Sequence, residues 1–502
     1  MVVAARRFGV AAVRPQLTWR LLGLAVLLAA ISLSPRMPLP VPVPGKRFDL
    51  RAEDIVLVVL AVAWWFRGPR VDFSANRTLW RLIGAYLAIG LLSSVTGILI
   101  GGLNPLRAAT FWGKQVEFFL IFALVASWAT EARDRSWLLA WFLVLGYLNA
   151  AWAAVQLFTN HFRPLLLVNP GYDLAVAKTL YESYGPGLIG EVSPLSTGAF
   201  FLVEFLVVFA LICSHRLVGW LQQVLAAAGL SVFLVFLFLS QSRVSMVGSL
   251  LGAVVVAVTM KAVRRGAVNF GIAFLAATAS LLLSRSPSLA RIIGVSHIQN
   301  SLSYRENVTW APITGPAREV SSAHLFVHLP NWLKSAVDFV VGHGVGSMGS
   351  IDNLPNEAHD EFLRVFAESG VVGLILFVGL VLAIGLFAFS VHRRSAPGSV
   401  DAITSAAALG VLVAFLAASS LQDMFFPVIP NEVLWFLLGL VAATGQSVPL
   451  SWPPGPAGLR ARPRLEPGAA PNGEESSAAS APMPGPGAPP RSPAASRGKA
   501  SP

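Results

Sequence analysis

The sequence predicts an all-α polytopic membrane protein with about twelve transmembrane helices and a large, partly helical outer (periplasmic) loop. Three observations lead to this prediction. Of the 502 residues, 55% are hydrophobic and only 12% are charged, whereas a soluble domain has about 25% charged residues. The mean hydropathy is +0.67. The apolar residues also gather in separate runs, many close to the roughly 20 residues that a helix needs to cross a bilayer.

The apolar runs give the predicted spans in chain order. The first run follows several arginines, but no small-residue cleavage site comes after it, so we interpret it as an anchor rather than a signal peptide. The runs are Trp19–Ser34, Asp54–Phe66, Leu82–Gly101, Glu117–Ala129, Trp137–Phe158, Leu195–Ile212, Leu221–Leu239, Val244–Val263, Val268–Leu283, Val371–Phe389, Ile403–Ser420 and Val433–Thr444.

The distribution of Lys and Arg predicts the orientation. These residues predominate in the N-terminal segment, the alternate short loops and the C-terminal segment, and positive loops face the cytoplasm. Both termini are therefore predicted to be cytoplasmic. Two long loops, residues 159–194 and 284–370, then lie on the outer face. The second contains five of the eight histidines, and we expect chemistry on that side.

The C-terminal segment differs in composition from the predicted membrane domain of residues 1–445. Residues 446–502 contain 14 of the 34 prolines and no apolar periodicity, which predicts a disordered Pro/Ala/Gly-rich cytoplasmic tail. The net charge of +12 would suggest nucleic-acid binding in a soluble protein. Here it reflects cytoplasmic loops, so no nucleic-acid partner is expected. The single cysteine, Cys213, excludes an intramolecular disulfide.

A polar corner interrupts the apolar run between Leu221 and Val263. It consists of Ser240-Gln241-Ser242-Arg243, which predicts two helices joined at an outer turn. A guanidinium at this depth is costly unless it is paired or lines a wet cavity, and its planar fork suits phosphate. Arg243 is therefore either a phosphate ligand or an interfacial arginine that reaches the lipid headgroups.

His359 lies in a segment predicted to be an amphipathic helix at the outer surface, before the span that begins at Val371. Phe362, Leu363 and Phe366 are predicted to form its buried face, with His359 on the same side. A histidine here could act as a general base near neutral pH, or it could be a packing residue. Nearby carboxylates lie two residues away and on other helix faces, so we expect no metal.

Two glutamates and a glycine-rich turn complete the candidates. Glu204 lies mid-span, where a carboxylate indicates function by default, although it could be a neutral or paired group. Glu191 stands at the entry to the same helix as a ligand or a cap. The turn that contains His343, Gly344 and Gly346 allows close backbone approach and could form a phosphate-binding nest. Upstream, LPNWLKSAVDFVV has helical apolar spacing.

Taken together, these motifs resemble the superfamily of O-antigen ligases and O-antigen polymerases of the bacterial envelope. The Ser-Arg corner at Arg243 resembles that of the family, and Gly190-Glu191-Val192-Ser193-Pro194 resembles its Gly-x-Glu-Pro-Ser stretch. From Trp332 to Gly373 the chain resembles the family's Trp-led helix, Gly-x-Gly turn, Ala-His-Asn-x-Phe-Leu motif and following span. Here Asp360 stands where asparagine is usual, and His328 stands where the family has an arginine.

The resemblance implies a metal-independent and cofactor-independent glycosyltransferase in the bacterial inner membrane, with its active site on the periplasmic face. The donor would be a glycan on undecaprenyl pyrophosphate, and the acceptor a sugar hydroxyl on lipid A core or on a second lipid-linked glycan. It implies His359 as general base and Arg243, with Arg305 or Arg318, on the pyrophosphate. The remaining substrate-binding candidates are Glu191, His328, His343, Gly344 and Gly346.

A different class of function remains open. Twelve spans with both ends inside also describe a lipid-linked oligosaccharide flippase or a secondary transporter, for which Glu204 would be the coupling site. Such transporters often show two similar halves, and the sequence shows no such repeat. They also seldom need a long outer loop that contains most of the histidines.

Overall fold

A computed structural model describes thirteen helices and one β-hairpin within residues 18–34, 36–43, 46–67, 77–159, 186–190, 194–214, 220–240, 242–283, 331–347, 361–419, 424–425 and 428–445. The strands are β1 (Arg36–Val43) and β2 (Lys46–Arg51), and they pair antiparallel. The helices are α1 (Trp19–Leu33), α2 (Ala52–Arg67), α3 (Arg77–Leu99), α4 (Pro105–Trp128), α5 (Ala132–Thr159), α6 (Pro194–Cys213), α7 (Trp220–Leu239), α8 (Arg243–Thr259), α9 (Val263–Leu283), α10 (Asn331–Val341), α11 (Glu361–Arg394), α12 (Val400–Ser419) and α13 (Val428–Gly445).

The helices confirm the predicted class of fold. Seven of the described helices are long and apolar enough to cross a membrane, namely α3, α4, α5, α6, α7, α11 and α12. Shorter apolar helices occupy α1, α8 and α13. The chain is therefore a helical membrane protein. Every predicted span overlaps one of the thirteen helices, while the count of twelve crossings stays a prediction. The predicted tail, residues 446–502, lies outside the described residues.

Local chemistry explains where several helices begin and end. The side chain of Asn104 accepts hydrogen bonds from the N–H groups of Leu106 and Arg107 and caps α4, whose first residue is Pro105. A proline is well tolerated at this position because the N–H that it lacks would have had no hydrogen-bond partner inside the helix. Ser242 caps α8 in the same way by accepting from Ser245. At the C-terminal end of α1, the cap residue Ser34 takes a left-handed conformation with φ 38°.

Three helices, α6, α12 and α13, form the centre of the bundle, and every residue of α13 from Ile429 to Ala443 is buried. In the most apolar 18-residue stretches of α6 and α12, 94% and 83% of the residues are buried. A helix that is apolar all round belongs inside a protein core. Helices at the periphery instead expose large apolar side chains, such as Trp65 and Phe66 of α2 at 82% and 78%. This outward apolar surface suits lipid rather than water.

Glycines allow close contacts between α8 and its neighbours α6 and α12. A Cβ added to Gly252 of α8 would lie 2.7 Å from a methyl group of Leu206 in α6 and 2.8 Å from the carbonyl oxygen of Gly410 in α12. Gly248, one turn earlier, meets Leu202 in the same way. This spacing of small residues lets helix backbones approach inside a membrane, where van der Waals packing drives association.

The bundle has two polar ends. At the end that carries the hairpin, the hairpin end, Ser34 of α1 donates a hydrogen bond to Glu53 of α2. At the opposite end, the Arg135 guanidinium of α5 bonds to the Asp401 carboxylate of α12 at 2.8 Å. Because antiparallel helices carry the chain back and forth, residues distant in sequence meet at each end.

Candidate functional site

The glycine-rich turn after α10 lies at the hairpin end and is fastened to α11. The N–H groups of His343 and Gly344 donate to the carbonyl oxygens of Ala367 and Glu368, each at 2.9 Å. The N–H of Gly346 donates to the Glu368 carboxylate, also at 2.9 Å. The two segments that carry the family resemblance, around Trp332 and around Phe362, therefore meet through hydrogen bonds in the described residues 331–347 and 361–370.

Three glycines determine the backbone conformation of this turn. Gly342, Gly344 and Gly346 have φ angles of +86°, +101° and +85°, a region in which only glycine is free of steric cost. The turn also packs closely against α3, since a Cβ added to Gly97 would overlap the carbonyl oxygen of His343. The hydroxyl of Ser93 on the same helix donates to the carbonyl oxygen of Glu368.

These contacts revise the role predicted for the turn. A phosphate-binding nest needs N–H groups that point at the ligand, but those of His343, Gly344 and Gly346 are already donated to α11. The turn is thus a fixed structural joint. The side chain of His343 is 54% exposed, with its Nδ1 3.6 Å from Asp338, and substrate binding by this group stays a prediction.

The first turns of α11 correct another prediction. Phe362, Leu363 and Phe366 are only partly buried, whereas Glu361, Arg364 and Glu368 form the buried face. Apolar spacing suggested the reverse, because charges are normally exposed. Here the three charges pair with one another: Arg364 bonds to Glu361, and to Glu368 at 2.8 Å. The helix then breaks its regular geometry at Gly370, with φ 67°.

A second ionic group at the hairpin end was not predicted. Lys114 of α4 contacts Asp54 of α2, Glu117 at 2.7 Å and Glu432 of α13 at 3.8 Å. Glu432 is fully buried. We call these residues, together with Glu53, the Lys114 cluster; Arg51 lies beside it, 3.6 Å from Glu53. The feature of the sequence that could have indicated this cluster is the presence of charged residues, Lys114 and Glu117, among the apolar residues of α4.

The polar corner joins two helices, as predicted. Helix α7 ends at Leu239 and α8 begins at Arg243. The hydroxyls of Ser242 and Ser245 lie 2.7 Å apart, and that of Ser240 donates to Leu237. The first turn of α6 packs on this corner, since a Cβ added to Gly198 would lie 2.6 Å from the Cβ of Ser242. The side chain of Arg243 lies outside the described part.

Glu204 is completely buried in α6. Its carboxylate rests on α5 at Gly146, where an added Cβ would overlap it. Neither of its oxygens has a hydrogen-bond partner among the described residues. Within the described ranges the carboxylate is thus neither capped nor paired, which leaves its predicted functional role open.

The segment before α6 also runs along the hairpin end. The side-chain oxygens of Gln156 and Asn149 in α5 accept hydrogen bonds from the N–H groups of Gly187 and Ile189, at 2.9 and 3.0 Å. Gly190 lies so close to the carbonyl oxygens of Leu33 and Ser34 that no side chain would fit. The chain therefore reaches the start of α6 at this end of the bundle.

Several predicted site residues lie outside the described residues, so their placement in the site stays a prediction. They are Glu191, Arg305, Arg318, His328 and His359. Within the described ranges, no group of three or more His, Cys, Asp or Glu residues is arranged to hold a metal ion.

The fold and its two polar ends define a helical membrane protein whose charged and glycine-rich contacts concentrate at the hairpin end. Comparison with models of known protein families and with curated proteins found no match.

Proposed function

We propose that this protein is a membrane glycosyltransferase of the O-antigen ligase or polymerase type. It would transfer a glycan from undecaprenyl pyrophosphate to a sugar hydroxyl. The observation that carries the proposal is the junction between the turn at Gly344 and the first turns of α11, around Glu368, held by backbone hydrogen bonds. Two separate parts of the resembling pattern come together there, as parts of one site must.

The setting supports the same proposal. The Ser240–Ser242 corner, the entry to α6 and the turn are the described portions of three resembling motifs. The segment that leads into α6 contacts α1 at Ser34, and α1 joins α2 there. We assign the hairpin end to the periplasmic face of the bacterial inner membrane, with both chain termini in the cytoplasm and twelve crossings between them. Membrane lipid would surround the apolar flank of the bundle.

The proposed reaction is a single displacement. His359, two positions before α11, removes the proton from the acceptor hydroxyl as the oxygen attacks the anomeric carbon. The bond from that carbon to the pyrophosphate oxygen breaks, and undecaprenyl pyrophosphate leaves with the electron pair. Arg243, aided by Arg305 or Arg318, stabilises the leaving charge. Attack from the face opposite the leaving group inverts the anomeric centre, and no metal takes part.

The test uses purified full-length protein in nanodiscs, with chelator present and no added metal. Undecaprenyl-pyrophosphate-linked glycan is supplied with lipid A core or with a second lipid-linked glycan, and release of undecaprenyl pyrophosphate is measured. Release with lipid A core identifies a ligase, and growth of glycan on the carrier identifies a polymerase. No release with either acceptor, from protein that binds the donor, would contradict the proposal.

A matched pair of variants tests the general base. His359→Ala is expected to abolish transfer without changing the amount of protein in the membrane. His297→Ala, in the same predicted loop but outside the resembling motifs, is expected to retain transfer. Normal product formation by His359→Ala would remove this residue from the role of base.

A second candidate function, proton-coupled transport of a lipid-linked oligosaccharide or another solute, is favoured by Glu204. Its buried carboxylate has no hydrogen-bond partner among the described residues, and an ionisable group inside a membrane indicates function by default. Glu204→Gln keeps the shape and removes the charge. A proton-coupled transporter should lose transport with this variant, whereas the transferase should retain most of its product formation. Glu131→Gln, at an exposed position, serves as the control.

A further inference from the structure

Two basic segments meet at the end of the bundle opposite the hairpin. The ring nitrogens of His392, near the end of α11, lie 3.0 Å from the carbonyl oxygen of Thr259 in α8 and 3.1 Å from that of Ala402 in α12. Lys261 follows Thr259 by two residues, and Arg393 follows His392 directly. One side chain thus holds together two segments that are 133 positions apart in the sequence.

Each segment brings cations to this place. Lys261, Arg264 and Arg265 belong to the turn between α8 and α9 and to the first residues of α9, while Arg393 and Arg394 end α11. We call these five residues the basic patch; all except the half-buried Arg265 are exposed. Lys261, Arg264 and Arg393 take no part in the ion pairs formed within the described residues.

The carboxylate that is closest in sequence to the basic patch is already bonded elsewhere. Asp401, the neighbour of Ala402, accepts hydrogen bonds from the guanidinium of Arg135 at 2.8 Å and from the hydroxyl of Thr444 at 3.1 Å. Its negative charge is therefore compensated by Arg135. The basic patch keeps an excess of positive charge within the described part of the chain.

Lys261 occupies a backbone position at which glycine would be less strained. Its φ angle is +53°, in the left-handed region that is unfavourable for residues with a Cβ. The N–H groups of Lys261 and Ala262 donate to the carbonyl oxygens of Val258 and Ala257 at 3.0 and 2.8 Å. This is the Schellman pattern of a helix C-terminus, which usually has glycine where Lys261 stands. Such backbone strain often accompanies a functional constraint on the residue.

The basic patch borders an apolar surface. The guanidinium carbon of Arg393 lies 6.0 Å from the ring centroid of Phe389, one turn earlier in α11. The side chain of Phe389 is exposed, and so are those of Val258 and Val263 on either side of Lys261. Exposed apolar side chains suit lipid tails, whereas cations beside them suit negatively charged headgroups.

We infer that the basic patch binds the headgroup of an anionic phospholipid. The phosphate accepts hydrogen bonds from both segments, so that one lipid bridges the turn after α8 and the end of α11, and its tails lie along the apolar side chains beside Phe389. Basic loops of membrane proteins attract anionic lipid in general. Here two such segments are also fixed to each other through His392, which favours one defined site. This inference does not depend on glycan transfer.

Binding of phosphatidylglycerol to the purified full-length protein tests the inference. The protein in neutral detergent is mixed with phosphatidylglycerol, with phosphatidylcholine of the same chains, or with glycerol phosphate, and native mass spectrometry gives the fraction that carries each ligand. We expect phosphatidylglycerol to bind most tightly of the three. Lys261→Gly combined with Arg393→Gln removes one cation from each segment, and its affinity should fall about tenfold or more, because each cation contributes to the attraction of anionic lipid.

A matched control separates this site from general attraction by positive charge. Arg77→Gln combined with Arg81→Gln removes the same charge from two exposed positions. These residues begin α3, whose later residues contact the turn at the hairpin end, so they lie at the same end as the basic patch. The control should keep the affinity of the wild type. Lys261→Gly relieves backbone strain and should not lower the unfolding midpoint without lipid; if it does, Arg264→Gln replaces it.

The possible outcomes either support or overturn the site. Unchanged affinity in the double variant, an equal loss in the control pair, or no binding of phosphatidylglycerol by the wild type would overturn it. Equal binding of phosphatidylcholine or of glycerol phosphate would also overturn it, because the site needs both the negative charge and the chains. Loss of phosphatidylglycerol in the double variant alone would support the site, whether or not the wild type transfers glycan.

Discussion

The carboxylate of Glu368 accepts a hydrogen bond from the N–H of Gly346 at 2.9 Å, across a sequence separation of 22 residues. The same carboxylate bonds to Arg364 at 2.8 Å. One side chain thus links the glycine-rich turn to the buried charges of α11.

Replacing Glu368 should therefore loosen both partners at once. We expect Glu368→Ala to destabilise the protein by about 3–5 kcal/mol, because it breaks a buried ion pair and leaves the Gly346 N–H without its acceptor. Glu368→Gln keeps an acceptor and should cost less. The measurement is the unfolding midpoint in detergent, with Glu131→Ala as an exposed control. Equal midpoints for wild type and Glu368→Ala would contradict this role.

The contact between α3 and the turn gives a second prediction. An added methyl at Gly97 would overlap the carbonyl oxygen of His343, whereas nothing lies within 4 Å of a Cβ added at Gly84 on the same helix. Gly97→Ala should destabilise by about 1–3 kcal/mol through overpacking. Gly84→Ala should stabilise by up to about 1 kcal/mol through helix propensity. An equal decrease in the unfolding midpoint for both variants would contradict the close packing of the turn against α3.

The Lys114 cluster gives a third prediction. Lys114 contacts the partly buried Asp54 and Glu117 and the fully buried Glu432, so Lys114→Met leaves these carboxylates without their shared cation. We expect a loss of about 3–5 kcal/mol. Glu117→Gln removes one negative charge from the same group and should cost less. Thermal unfolding of the two variants in the same detergent compares them. A smaller loss for Lys114→Met than for Glu117→Gln would contradict this account.

A fourth prediction concerns the side of the membrane that the hairpin end faces. Cys213 is buried, so a Cys213→Ala background provides a protein without thiols. In it, Ala336→Cys marks exposed α10 at the hairpin end, and Thr130→Cys marks an exposed position at the opposite end. In cells whose outer membrane is opened, an impermeant maleimide should label position 336 alone. Labelling of position 130 alone would reverse the orientation.

The periodicity and length of apolar runs were enough to predict most of the fold. Each run between Trp19 and Thr444 overlaps a helix, the corner before Arg243 separates two of them, and the apolar spacing after Pro330 forms α10. The β-hairpin at Arg36–Arg51 was not predicted. Its first strand contains three prolines, which are normally rare in strands because they cannot donate to the ladder.

The site was harder to predict because its contacts join residues far apart in sequence. The charges of Glu361, Arg364 and Glu368 looked like an exposed face, but they pair with one another and Glu368 also accepts from the Gly346 N–H, which explains their burial. The glycines of the turn suggested an open nest, yet their N–H groups are bonded to α11.

The enclosure of α6 has a consequence for how the protein is made. Because the ribosome delivers helices in order, α6 enters the bilayer before α8 and α12, which later cover it. Glu204 is costly in lipid, but its contact lies on Gly146 of α5, which has already been synthesised. The carboxylate can therefore be sheltered at once, while the glycine-lined contacts of α8 form later. The order of the helices along the chain thus matches the order in which α6 needs its neighbours.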